Sequence, residues 1–151
     1  VRYPRGNGTG VNIETEMTAL PLGKALVRRE GKGGLAILCF GVLLQSALPV
    51  AEQLDATLVD MRFVKPLDQE LIQQLASSHQ RLITLEENAT QGGAGSAVNE
   101  YLTLIQAHNP VLNLGLPDLF LDHGTRGELL AEAGLDPASL LARIQDFCAS
   151  T

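Results

Sequence analysis

At 151 residues, with 45% hydrophobic and 19% charged side chains, the chain has the composition of a folded domain with one sizeable core, not of a disordered protein. The net charge of −6 is unevenly spread: residues 1–34 carry six basic and three acidic side chains, residues 35–151 five and fourteen. An acidic body argues against nucleic-acid binding, no apolar run approaches the roughly 20 residues of a bilayer span, and two cysteines cannot build a disulfide framework, so a cytoplasmic protein is expected, without nucleic-acid or membrane partners.

The opening "VRYPRGNGTG" is a poor start to an element, because Pro4 and the glycines break a helix and the apolar run is too short for a strand. It reads instead as the end of a preceding domain: a strand finishing near Arg2, then a turn carrying Arg5, with backbone amides around Gly6 and Gly8 able to face an anion. Residues 11–22 read as a linker. "KALVRRE" (24–30) has the pattern of a short edge strand, antiparallel if it joins the sheet that follows.

From Gly34 the pattern is regular. "LAILCFG" (35–41) is an uninterrupted apolar strand, the signature of burial on both faces. A helix is expected over 46–55, with Ser46 as N-cap and Pro49 in the first turn, where its missing N–H is harmless. "ATLVDM" (56–61) is a strand, and 68–78 a helix capped by Asp68 with Leu71, Ile72, Leu75 and Ala76 on one face. "RLITLEE" (81–87) is a third strand of this series, 92–107 a helix opening on glycines, and "PVLNLG" (110–115) a fourth strand. After the loop "LPDLFLDHG" come a helix stopped by Gly134 and a last one with Asp136 as cap and Pro137 in first position. The alternation selects an α/β fold: a three-layer sandwich with a mostly parallel sheet and right-handed crossovers.

Residues suited to chemistry are few. His79, His108 and His123 form no ligand pattern with Cys39 and Cys148; His79 and His108 are expected at the surface, and Cys39 as a small buried hydrophobe. Asp118, Asp122 and His123 lie close together, but the spacing matches neither a structural zinc site nor an oxygen-ligand loop, and a solvated loop is the favoured reading. Gly92, Gly93 and Gly95 follow a strand and open a helix, as in a phosphate-binding loop, yet neither G-x-G-x-x-G nor G-K-S/T is present and Glu86 and Glu87 would repel a phosphate; close packing is favoured. Adjacent strand residues point to opposite faces, so Glu86 and Glu87 do not form one acid pair, and Glu86 is placed to cap the helix. Asp60 and Arg62, at a strand exit, are expected to form an ion pair or an interface contact.

The segments "VRYPRGNG", "LAILCFG", "ATLVDMRFVKPLD", "LITLEENATQGGAGSAVNE", "LNLGLPDLFLDHG" and "GLDPASLLARI", in that order, closely resemble the C-terminal portion of the 1-deoxy-D-xylulose-5-phosphate synthase family, within the transketolase-like group that depends on thiamine diphosphate. The resemblance implies condensation of pyruvate with D-glyceraldehyde 3-phosphate, loss of CO2 and formation of 1-deoxy-D-xylulose 5-phosphate, feeding isoprenoid, thiamine and pyridoxal cofactor synthesis. It implies a homodimer of three-domain subunits with thiamine diphosphate and Mg2+. Residues 1–10 would then end the pyrimidine-binding domain, 11–22 would be the linker, and 23–151 would form the transketolase-like C-terminal domain. Neither a G-D-G metal motif nor the family's catalytic histidines and activating glutamate has a match here, so the resemblance assigns this chain no catalytic, cofactor or metal residue and implies that alone it is inactive. Arg5 matches the family's arginine for the aldehyde phosphate, a role that suits a guanidinium fork, with Arg2 as second candidate. The alternatives are the same domain of another transketolase-like or E1 dehydrogenase enzyme, and a non-catalytic α/β interaction module.

Overall fold

The computed structural model describes residues 15–16 and 18–150, and Arg2 and Arg5 lie outside them. Ten elements follow in chain order: β1 (Leu26–Arg29), β2 (Leu35–Phe40), α1 (Leu44–Gln53), β3 (Thr57–Asp60), α2 (Gln69–Ser78), β4 (Arg81–Ala89), α3 (Ala94–Leu104), β5 (Val111–Leu116), α4 (Arg126–Glu132) and α5 (Pro137–Ser150). The sheet order is β1-β3-β2-β4-β5, parallel except for β1, which pairs antiparallel with β3 at the edge.

The continuous apolar run of β2 is explained by its central place. Leu35, Ile37 and Cys39 pack beneath α1 and α5, while Ala36, Leu38 and Phe40 pack beneath α2 and α3. Side chains alternate across a strand, so this one feeds both layers, and each fully buried Leu or Ile stabilises the fold by about 2 kcal/mol. The same alternation governs β4: Leu82 faces the α2/α3 layer, and Ile83 and Leu85 face the α1/α5 layer.

Several helix ends follow the expected chemistry. The Asp68 carboxylate accepts from Leu71 N at 3.3 Å, and the Asp136 carboxylate accepts from Ala138 N and Ser139 N at 3.0 and 3.2 Å. Gly134 adopts φ +67°, the left-handed conformation that ends a helix. Thr125 and Glu128 form a reciprocal capping box at the start of α4.

Three expectations are corrected. α1 begins at Leu44, not after Ser46, so Ser46 is no cap and Pro49 lies inside the helix. A tight turn in which Leu44 N donates to Gly41 O starts the helix early, and it carries Leu43 into the core with no exposed surface. α3 is shorter than 92–107: Gly93 is its N-cap and it ends at Leu104, where Gln106 turns left-handed at φ 56°. His79 is half-buried, with its Nε2 2.8 Å from Thr57 Oγ1, because the end of α2 folds back onto the start of β3.

Candidate functional site

In open α/β sheets the ligand edge is the carboxyl end of the strands, at the point where successive connections leave for opposite faces. Here that point lies between β2 and β4, whose following helices α1 and α3 belong to different layers. A groove of about 1170 Å³ opens there. Its walls come from the turn after β2 (Phe40–Val42), the segment after β3 (Arg62–Leu67), the end of β4 and the outer face of α3.

The end of β4 is built around a buried carboxylate. Glu86 keeps 4% of its surface exposed and accepts from Ala94 N at 2.7 Å and Gly95 N at 2.8 Å. These are free donors at a helix N-terminus, the groups that would otherwise receive a phosphate or other anion. The glycines make room for this contact. A Cβ on Gly93 would meet the Ala89 carbonyl and lie 2.5 Å from Glu86 Oε2, and one on Gly95 would meet Thr84 Oγ1 and lie 2.6 Å from Asn113 Nδ2. Close packing and capping by Glu86 are thus what the segment does.

Glu87 turns the other way, as the strand period requires, and pairs with Arg126 at 3.0 Å, tying α4 to the sheet edge. Beneath Glu86, Thr84 Oγ1 accepts from Asn113 Nδ2 at 2.6 Å, and Asn113 Oδ1 accepts from Asn99 Nδ2 at 2.7 Å, a polar chain from β4 through β5 to α3. Sequence reading missed this chain, although Asn113 interrupting the apolar "VLNLGL" was its signal.

Asp60 and Arg62 do not form the expected ion pair. Asp60 Oδ1 accepts the main-chain N–H of Arg62 at 3.2 Å, in a turn that holds Arg62 left-handed at φ 57° and sends its side chain to the groove. Cys39 lies beside Asp60 in the sheet; burial, and secondarily the Asp60 charge, push its thiol well above the usual range. A protonated buried thiol is no nucleophile.

Asp118, Asp122 and His123 stand exposed in the loop after β5, beside a fully exposed Phe120. Among the described residues no group of three His, Cys, Asp or Glu is placed to hold a metal ion. No described helix is long and apolar enough to cross a membrane.

Comparison with known proteins agrees with this architecture. The family model described as the transketolase C-terminal domain matches residues 23–140. The chain is 56% identical over 147 residues to a 1-deoxy-D-xylulose-5-phosphate synthase of Aeromonas hydrophila, covering 97% of this chain and 24% of the relative. It is 58% identical over 149 residues to the protein of that name from Citrobacter koseri, covering 99% and 24%. The chain therefore spans about a quarter of the length of these curated relatives. A solved split-gene transketolase, described as an inactive β4 tetramer, is similar with a TM-score of 0.77 and 32% identity over 85% of this chain and 43% of that one. A family match from the edge strand β1 into α5, joined to a shared fold, means that the chain belongs to the transketolase C-terminal domain family.

Proposed function

We propose that this chain is the C-terminal part of a 1-deoxy-D-xylulose-5-phosphate synthase, which condenses pyruvate with D-glyceraldehyde 3-phosphate and releases CO2. The observation that carries the reading is identity of 55–58% along 97–99% of the chain to proteins of that name from several bacteria. The lower identity, 32%, to the split-gene transketolase makes transketolase chemistry the weaker reading.

In this reading the described residues take no part in holding the cofactor. Glu86 already holds the N–H groups at the start of α3, and no described cluster suits a metal ion. No chemical step is assigned to them. In this reading thiamine diphosphate and Mg2+ sit in upstream domains of a cytoplasmic homodimer, and the 23–151 domain supports that site and is inactive alone. Arg5 would contribute from the end of the pyrimidine-binding domain, its guanidinium holding the aldehyde's phosphate, with Arg2 as second candidate.

The test is an assay of the full-length protein with pyruvate and D-glyceraldehyde 3-phosphate. Formation of 1-deoxy-D-xylulose 5-phosphate that requires thiamine diphosphate supports the reading; its absence, with ketol transfer between sugar phosphates instead, overturns it. Arg5→Ala should raise KM for the phosphorylated aldehyde about tenfold or more and leave pyruvate addition unchanged. Equal loss with an unphosphorylated aldehyde would overturn the phosphate role.

A further inference from the structure

The groove at the carboxyl edge of the sheet is broad. Its volume of about 1170 Å³ lies above the range of roughly 300–1000 Å³ usual for small-molecule pockets. The N–H groups at the start of α3, which could otherwise hold an anion there, are taken from inside by Glu86. Its rim carries apolar side chains turned to solvent, with Val64 53% and Leu104 76% exposed, and Pro66 and Tyr101 line the same groove. Apolar surface gathered in this way marks an interaction site. Arg62 and Lys65 line the same groove, and no described carboxylate ion-pairs with either.

The path of the chain identifies what belongs there. Because β1 is antiparallel, with Leu26 opposite Asp60, the polypeptide joins the sheet at the carboxyl edge. Its approach is fastened to the groove wall. Gly23 lies so close to Pro66 that a Cβ would come within 2.8 Å of the proline Cγ, Lys24 pairs with Asp68 at 3.6 Å and with Glu70, and Ala25 N donates to Asp68 at 2.9 Å. Just before this anchor, Leu20 and Leu22 are also exposed. Residues 23–25 thus lead into the sheet beside Pro66, which lines the groove. The matched relatives are about four times longer than this chain, since it covers 24% of their length.

We infer that the groove and the outer face of α3 seat the upstream body of the same polypeptide, which brings apolar side chains to Val64, Tyr101 and Leu104 and a carboxylate to Arg62. The inference rests on the reading of this chain as the C-terminal part of a longer synthase.

Photo-crosslinking in the full-length protein tests it. A benzophenone amino acid replaces Leu104 or Val64, both solvent-exposed, with exposed Gln73 on α2 as control, and subunits of normal and heavy isotope composition are mixed before irradiation. The expected products from Leu104 and Val64 join this groove to peptides upstream of residue 1 with matching isotope labels, and Gln73 gives none. Products joining two copies, or no protein crosslink at all, overturn the inference. As a second readout, Arg62→Glu in the full-length protein should lower the yield of the Leu104 crosslink to upstream peptides about tenfold; an unchanged yield overturns the proposed carboxylate contact. Synthase assays on the same preparations separate the two ideas. An active synthase whose crosslinks go elsewhere removes the groove inference alone, whereas loss of the synthase reading shows as no 1-deoxy-D-xylulose 5-phosphate from the unmodified protein.

Discussion

Glu86 Oε2 accepts the N–H of Ala94 at 2.7 Å, so the first residue of α3 is held by a carboxylate from the strand that precedes it. The second oxygen accepts Gly95 N at 2.8 Å. Replacing Glu86 by Ala leaves two buried N–H groups without partners and should lower stability by about 3 kcal/mol in chemical denaturation. Glu86→Gln keeps one acceptor and turns an NH2 toward the other donor, so it should cost about half as much. Equal stability for all three proteins would show that α3 does not depend on this contact.

The glycines divide into two kinds, and substitution by Ala should reveal them. At Gly93 and Gly95 a methyl group meets the Ala89 carbonyl and the Glu86, Thr84 and Asn113 side chains, and each change should cost about 2–3 kcal/mol. Gly127, inside α4, has nothing within 4 Å of a built Cβ. There Ala should stabilise by about 0.5–1 kcal/mol, through helix propensity alone. Thermal denaturation of the three variants checks the opposite signs.

Acid should weaken the fold through a few exposed carboxylates. Asp55 is held below the usual carboxylate range by hydrogen bonding from Arg29, Glu128 by Thr125 and Asp136 by Ser139. For a depressed pKa the stabilising contribution is complete above the unfolded value, about 4, and is lost as pH falls through the folded one. The melting temperature should therefore hold from neutrality to about pH 5 and decline below about pH 4. Asp55→Asn should make that decline shallower. Lys24, raised by its hydrogen bond to Glu70, has the opposite sign: its contribution is complete below the unfolded lysine value and fades as pH rises past the folded one.

The two cysteines should differ in reactivity. Cys39 has no exposed surface and a thiol kept protonated by burial, while Cys148 is only half-buried in α5. An aromatic disulfide reagent should label Cys148 in the native protein and Cys39 only after unfolding. Rapid native labelling at Cys39 would show that β2 opens readily.

How far the sequence foretold this depends on the range of the deciding interaction. β2 and β4 were legible because burial on both faces leaves a run of apolar residues, and β1 as an edge because its short stretch mixes polar and apolar residues. Capping by Glu86 was legible because an acid beside a glycine-rich helix start has a local electrostatic reason. The start of α1 was misread because Ser46 looks like a cap, whereas the burial of Leu43, a tertiary demand, moves the helix start back. The segment Arg62–Leu67 has no periodicity, and its part in the groove appears only when β3 is set between β1 and β2. Arg2 and Arg5 rest on resemblance alone.

β2 is buried at all six of its positions, three facing each helical layer. It therefore has no neutral sites: an exchange at any of them alters the volume of one layer, and the sheet relays the misfit to the strands on either side. Inherited change in Leu35–Phe40 should appear as apolar swaps of near-equal volume matched by a second change in a facing helix, while the solvent-facing positions of β1 drift independently. The slowest clock in such a gene would then run at the middle of the sheet, set by the shape of the core.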